Sequence, residues 1–252
     1  MRTLSKQNLP AATHAGGQMP RTHWSVILQA GSEQSTLAHQ ALDTLCRTYW
    51  YPLYAYLRRD GRTAHEAQDL TQGFFSHLLH GNRLESVKQR PGMKFRSWLF
   101  SSLRYYMRDE WRKAQAEKRG GGKTIISIDA EVAEERYHAE PADPIDPQKL
   151  FERKWAMELL NRVLVLLEKR YAAKGKQALF AELSPFIIGG AQFDSQRQIA
   201  ERLDIAPGNV GVAINRMRER YYELLRAEIA QTVSTREEIE EELRHLGSAI
   251  GL

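Results

Sequence analysis

The stretch FRSWLFSSLRYYMRDEWRKAQAEKRGGGK, residues 95–123, carries two helical periodicities at once. Phe95, Leu99, Leu103, Tyr106 and Met107 recur at the spacing that buries one stripe of a helix. Arg104, Arg108 and Arg112 follow each other at i, i+4, i+8 and line another stripe. Trp98, Tyr105 and Trp111 interleave with those arginines. Flat rings beside cations suit an unpaired nucleic-acid strand, because bases stack on the rings while phosphates pair with the charges. An ordinary amphipathic helix, with core aromatics and solvated charges, fits the same stretch taken alone.

Charge separates the two readings. The chain has 252 residues and a formal net charge of +5. Residues 83–123 hold twelve Lys or Arg against four Asp or Glu, or +8, so the partner of this stretch is expected to be polyanionic. The single cysteine, Cys46, excludes an internal disulfide and sits in an apolar helical pattern. No apolar run approaches the roughly 20 residues that span a bilayer, and a cytoplasmic protein without membrane contact is expected.

Outward from this helix, residues 1–21 show no periodicity and read as a disordered tail. Residues 24–59 favour two helices parted near Gly31 and Ser32, the second ending around Pro52, where a further helix begins. Asp60 and Gly61 stop that one. Thr63, with Glu66 three residues on, has the form of a capping box for a helix over 64–80. Between 120 and 147 come three glycines, then seven acids against one arginine over 127–146, then Pro141, Pro144 and Pro147. That composition predicts a flexible acidic linker, either a solvated spacer or a mimic of nucleic acid.

Beyond it, residues 150–171 fit a long amphipathic helix and 176–188 another, broken by Gly189 and Gly190. Over 195–226 Ile199, Ala200 and Leu203 fall on one helix, Asp204 on a turn, and Val210, Ile214 and Met217 on a second helix with Pro207 at its start. A helix-turn-helix and a plain helical hairpin fit this pattern equally well. His77 and His80 share a helix face, but their spacing and the lack of a nearby cysteine give no zinc pair, and Gly120–Gly122 lacks the P-loop frame. No catalytic cluster, metal site or cofactor is predicted, and the chain is not expected to be an enzyme.

Together the two halves resemble the extracytoplasmic-function sigma factors of bacteria, members of the sigma-70 family. EAQDLTQGFF at 66–75 is similar to the polymerase-binding helix of region two, and KFRSWL at 94–99 through DEWR at 109–112 to the promoter-melting helix. QIAERL at 198–203, Gly208-Asn209-Val210 and Arg216-Met217-Arg218 are similar to region four, with no region three between. The resemblance implies an all-α fold of two helical domains: a tail at 1–21, region two at 22–119, the linker at 120–147, region four with its helix-turn-helix at 148–231, and an acidic tail at 232–252. It implies core RNA polymerase and promoter DNA, duplex and melted, as partners. An anti-sigma factor or a serine/threonine kinase is a further candidate.

Site roles follow from the resemblance. Glu66, Gln68, Asp69, Gln72 and Phe75 would face polymerase. Trp98, Arg104, Tyr105, Arg108 and Arg112 would hold the melted minus-ten element. Asn209, Val212, Asn215, Arg216 and Arg218 would meet the minus-thirty-five duplex in the major groove. Two departures stand out. Gly211-Val212-Ala213 leaves few hydrogen-bonding groups in the recognition helix, and Gln68 and Gly73 replace acids usual in the polymerase-binding helix. Phosphorylation of Thr71, or secondarily Ser76, would restore about −1.5 to −2 of charge there. The five glutamates over 237–242 are expected to pack or to make an inhibitory contact. The competing function is a helix-turn-helix regulator that binds DNA without core polymerase.

Overall fold

The computed structural model describes residues 36–80, 94–116, 130–139, 146–188, 196–233 and 235–251. Expectations for the N-terminal tail, the helix from Trp24, Gly120–Gly122, Pro141, Pro144 and Gly189-Gly190 lie outside them. Among the described residues every regular element is a helix, as the periodicity predicts. In chain order they are α1 Thr36–Arg59, α2 Ala64–His80, α3 Phe95–Ala116, α4 Ala130–Ala139, α5 Pro147–Ala172, α6 Gln177–Leu183, α7 Pro185–Ile188, α8 Gln196–Leu203, α9 Pro207–Ala230 and α10 Arg236–Ile250.

The first difference from the sequence reading is in α1, which runs through Pro52 without a break. Proline cannot donate to the carbonyl four residues back and costs about 3 kcal/mol inside a helix. Tyr49, Leu53, Tyr54 and Leu57 on either side of it are all fully buried. Each such leucine contributes about 1.5 to 3 kcal/mol, which outweighs the lost bond. The helix ends where predicted: Gly61 takes a left-handed φ of 92°, and Arg62 N donates to the Leu57 carbonyl. Thr63 and Glu66 then form the expected reciprocal cap of α2, with Thr63 N donating to Glu66 Oε2 and Glu66 N to Thr63 Oγ1.

The second difference concerns the predicted linker. Within it, α4 lies against α1: Glu134 accepts hydrogen bonds from Tyr54 Oη and from Arg58 at 2.7 and 2.9 Å. Arg136 sits 3.8 Å from the Tyr51 ring centroid and pairs with Glu158 of α5. Glu134 is thus part of the fold, and a flexible spacer does not describe the helical part of 120–147.

α5 belongs by sequence to the second half of the chain, yet its apolar side packs on α1. Trp155 Nε1 donates to Tyr49 Oη at 3.1 Å, and Phe151 stacks on Phe100 of α3 at 4.9 Å. The buried residues form one cluster running from Tyr49 to Leu246. The end of the chain packs, as one of the two expectations for it had it, and does so as a helix. The acidic tail forms α10, capped by a Thr235–Glu238 box, with Ile239, Glu242 and Leu246 buried.

Candidate nucleic-acid interface

α3 owes its position to its apolar stripe. Phe95, Leu99, Leu103 and Tyr106 are buried as predicted, and Arg96 and Phe100 join them on the same side. Burial pushes the Tyr106 hydroxyl up to about 12, with Glu110 and Asp69 adding to the rise. That hydroxyl lies over Gly73 of α2, where an added Cβ would collide with it. Gly73 is therefore a packing residue at the crossing of α2 and α3, and a carboxylate has no room there.

The opposite side of α3 is open. Tyr105 is 66% exposed and Trp111 59%, far beyond what a core aromatic shows. Arg104, Arg108 and Arg112 are exposed beside them. Arg108 lies over the Tyr105 ring at 5.3 Å from its centroid, while Arg112 makes an exposed contact of 3.8 Å to Asp109. Trp98 differs from these. It is half-buried, with its ring 5.6 Å from Phe95, so only part of it is presented outward.

On α2 the expected polymerase-facing residues divide. Glu66 is exposed, and hydrogen bonds from Thr63, first from its backbone, hold its carboxyl below the usual range. Gln68, Asp69 and Gln72 are half-exposed. Phe75 is instead buried beside Phe74, at 5.6 Å between ring centroids, and cannot be offered to a partner in this structure. Thr71 is fully buried, its Oγ1 donating to the Ala67 carbonyl at 2.7 Å, so a kinase has no access to it. Ser76 is half-buried on the same helix.

α8 and α9 form two helices joined by a tight turn. Asp204 takes a left-handed φ of 51°, Ile205 N donates to the Ala200 carbonyl, and Pro207 opens α9. Aspartate tolerates this conformation better than most residues, and the bond from Ile205 N closes α8. Val210, Ile214 and Met217 face inward, leaving Asn209, Val212, Asn215 and Arg216 exposed together. Arg218 donates to the Phe186 carbonyl in α7 and so has a structural anchor.

The sequence reading missed the ionic cluster at the N-terminal end of α3. Arg96 is 7% exposed and donates to both carboxylate oxygens of Glu242 at 3.1 and 3.2 Å. Glu152 lies 3.4 Å from it, and the Trp155 ring centroid 4.8 Å. Lys94 Nζ lies 3.3 Å from Glu241 and 3.9 Å from Glu242. Phe95 N donates to the Thr232 carbonyl, fastening the segment before α10 to the start of α3. The available signal was phase: Arg96 falls on the same helix face as Phe100 and Leu103, where a charge demands a partner.

Among the described residues there is no group of three or more His, Cys, Asp and Glu side chains that could hold a metal ion. No helix among them is long and apolar enough to cross a membrane. Against known proteins, residues 45–117 match the family described as Sigma-70 region 2, which covers most of α1 together with α2 and α3. Neither the curated proteins nor the solved structures give a match.

Proposed function

We propose that this chain, whose residues 45–117 match sigma-70 region 2, is a sigma factor of the extracytoplasmic-function type. It joins core RNA polymerase through the exposed side of α2 and directs initiation at specific promoters. The observation that carries this reading is the open stripe on α3, with Tyr105 and Trp111 exposed among three arginines inside the matched region. A melted strand needs both components: rings replace the lost base stacking, at about 1 to 3 kcal/mol per base, and cations neutralise phosphates. In this reading Tyr105, Arg104, Arg108, Arg112 and the outer edge of Trp98 hold the minus-ten strand. α8 and α9 act as the helix-turn-helix, with Asn209, Val212, Asn215 and Arg216 toward the minus-thirty-five duplex. No reacting group of the chain's own is needed.

Reconstitution with core RNA polymerase and run-off transcription on genomic templates tests the reading. The expected result is discrete start sites absent with core enzyme alone. No specific transcript on any template, together with failure to co-purify with core enzyme, overturns it. A DNA-binding regulator independent of polymerase would instead bind duplex promoter DNA alone and add no start site.

A further inference from the structure

The cations at the N-terminal end of α3 are of two kinds. Arg96 points into the core, where Glu242, Glu152 and Trp155 enclose it. Lys94 immediately precedes α3, and its carbonyl accepts the hydrogen bond from Trp98 N at 3.1 Å. Within α3, Trp98, Tyr105, Arg108 and Arg112 fall within about 80° of one another around the helix axis at 100° per residue. Lys94 thus stands at the start of this exposed aromatic and basic stripe, at the end nearest α10. Its side chain is only 18% exposed because α10 covers it, with Glu241 at 3.3 Å and Glu242 at 3.9 Å. Locally, Glu152, Glu241 and Glu242 outnumber Lys94 and Arg96, so this end of the stripe offers no free positive charge.

The two glutamates are not equivalent. Glu242 is 2% exposed and committed to Arg96, and Ile239 and Leu246 fix α10 around it. The Glu241 side chain is 53% exposed and meets only Lys94 among the ion pairs described. A lysine is a compact charge on a flexible stem and can turn from a carboxylate to a phosphate without moving its backbone. α10 need not leave for that exchange.

We propose that Lys94 is a further phosphate contact of the strand-holding face of α3, and that Glu241 of α10 occupies it in the free protein as a built-in competitor. The inference rests on α3 holding single-stranded DNA. α10 then lowers the affinity of the free chain for DNA, and a phosphate delivered at the end of α3 displaces Glu241 from Lys94.

The test uses the full chain and a fluorescent single-stranded oligonucleotide, with anisotropy measured across a salt series. Glu241→Gln is expected to tighten binding about threefold, in the range of one exposed ion pair, and to steepen the salt slope by about 0.7, one single-strand phosphate contact. Lys94→Gln should abolish that gain, so that the double variant behaves as Lys94→Gln alone. Glu237→Gln, an exposed charge change on the same helix, controls for net charge. Equal effects of Glu241→Gln and Glu237→Gln, or a gain that persists with Lys94→Gln, overturn the proposal. Arg108→Ala separates the two levels. If it weakens binding while the Glu241 and Lys94 variants do nothing, only this inference falls. If Arg108→Ala is also inert, or no variant binds, the reading of α3 falls with it.

Discussion

The two ends of α3 carry the same kinds of side chain and meet opposite environments. At the start, Lys94 and Arg96 lie beside Phe95 and Trp98, and every cation there is matched by a carboxylate from α5 or α10. At the far end, Arg104, Arg108 and Arg112 lie beside Tyr105 and Trp111, all exposed, and among the ion pairs described they have one open contact, to Asp109. Composition therefore does not distinguish a structural cation from a ligand-binding one. What distinguishes them is whether the chain itself supplies the anion. A buried guanidinium must be paired within the fold, whereas an exposed row of arginines is stable in water and free to take phosphate.

Truncation should break this contrast most strongly at the buried end. Arg96→Ala leaves the buried Glu242 with only its longer contact to Lys94 and should cost about 3 to 5 kcal/mol in urea unfolding. Arg112→Ala, at the exposed end, should cost under about 1 kcal/mol. Comparable losses would mean that the two ends are not differently used.

Between the ends lies the crossing with α2. Gly73→Ala should destabilise by about 1 to 3 kcal/mol, because its methyl meets the Tyr106 hydroxyl in a packed site. Tyr106→Phe removes the colliding oxygen, so the double variant should recover much of the loss. Absence of recovery would place the strain elsewhere.

At the open end the effect should appear in binding instead. Tyr105→Ala should lose about 1 to 3 kcal/mol of single-strand affinity per base stacked, with the urea midpoint unchanged. A shifted midpoint would make Tyr105 a packing residue.

The smallest effect concerns α4. Burial raises the Glu134 carboxyl, but hydrogen bonds from Arg58 and Tyr54 outweigh it and hold it below the ordinary 4.5. A depressed carboxyl contributes stability that is complete above about pH 4.5 and lost as pH falls through the lowered value. Protease protection of α4 should follow that acid limb, and Glu134→Gln should flatten it.

How much of this was legible in the sequence depends on how local the cause is. The Thr63–Glu66 cap, the turn at Asp204 and the entry of α9 at Pro207 were readable because each is decided within four residues. The continuity of α1 through Pro52 was not, since the burial that sustains it comes from α5 and α3. Thr71 was placed by its neighbours in sequence, Gln68 and Gly73. Its face is set by Ala67, Phe74 and Leu78, all buried, and that spacing was the signal for a core hydroxyl. The partners of the α10 glutamates, which read only as a tail that packs or inhibits, were not legible because they are distant in sequence: Arg96 lies 146 residues from Glu242.

Permanganate reactivity of promoter thymines, in complexes of core polymerase with the wild-type chain, Tyr105→Ala or Arg216→Ala, tests the central claim most directly. The account predicts that Tyr105→Ala still forms the closed complex but leaves the minus-ten thymines unreactive, whereas Arg216→Ala weakens binding and gives normal reactivity in the complexes that form. Full thymine reactivity with Tyr105→Ala, or equal loss of binding and opening in both variants, would contradict it.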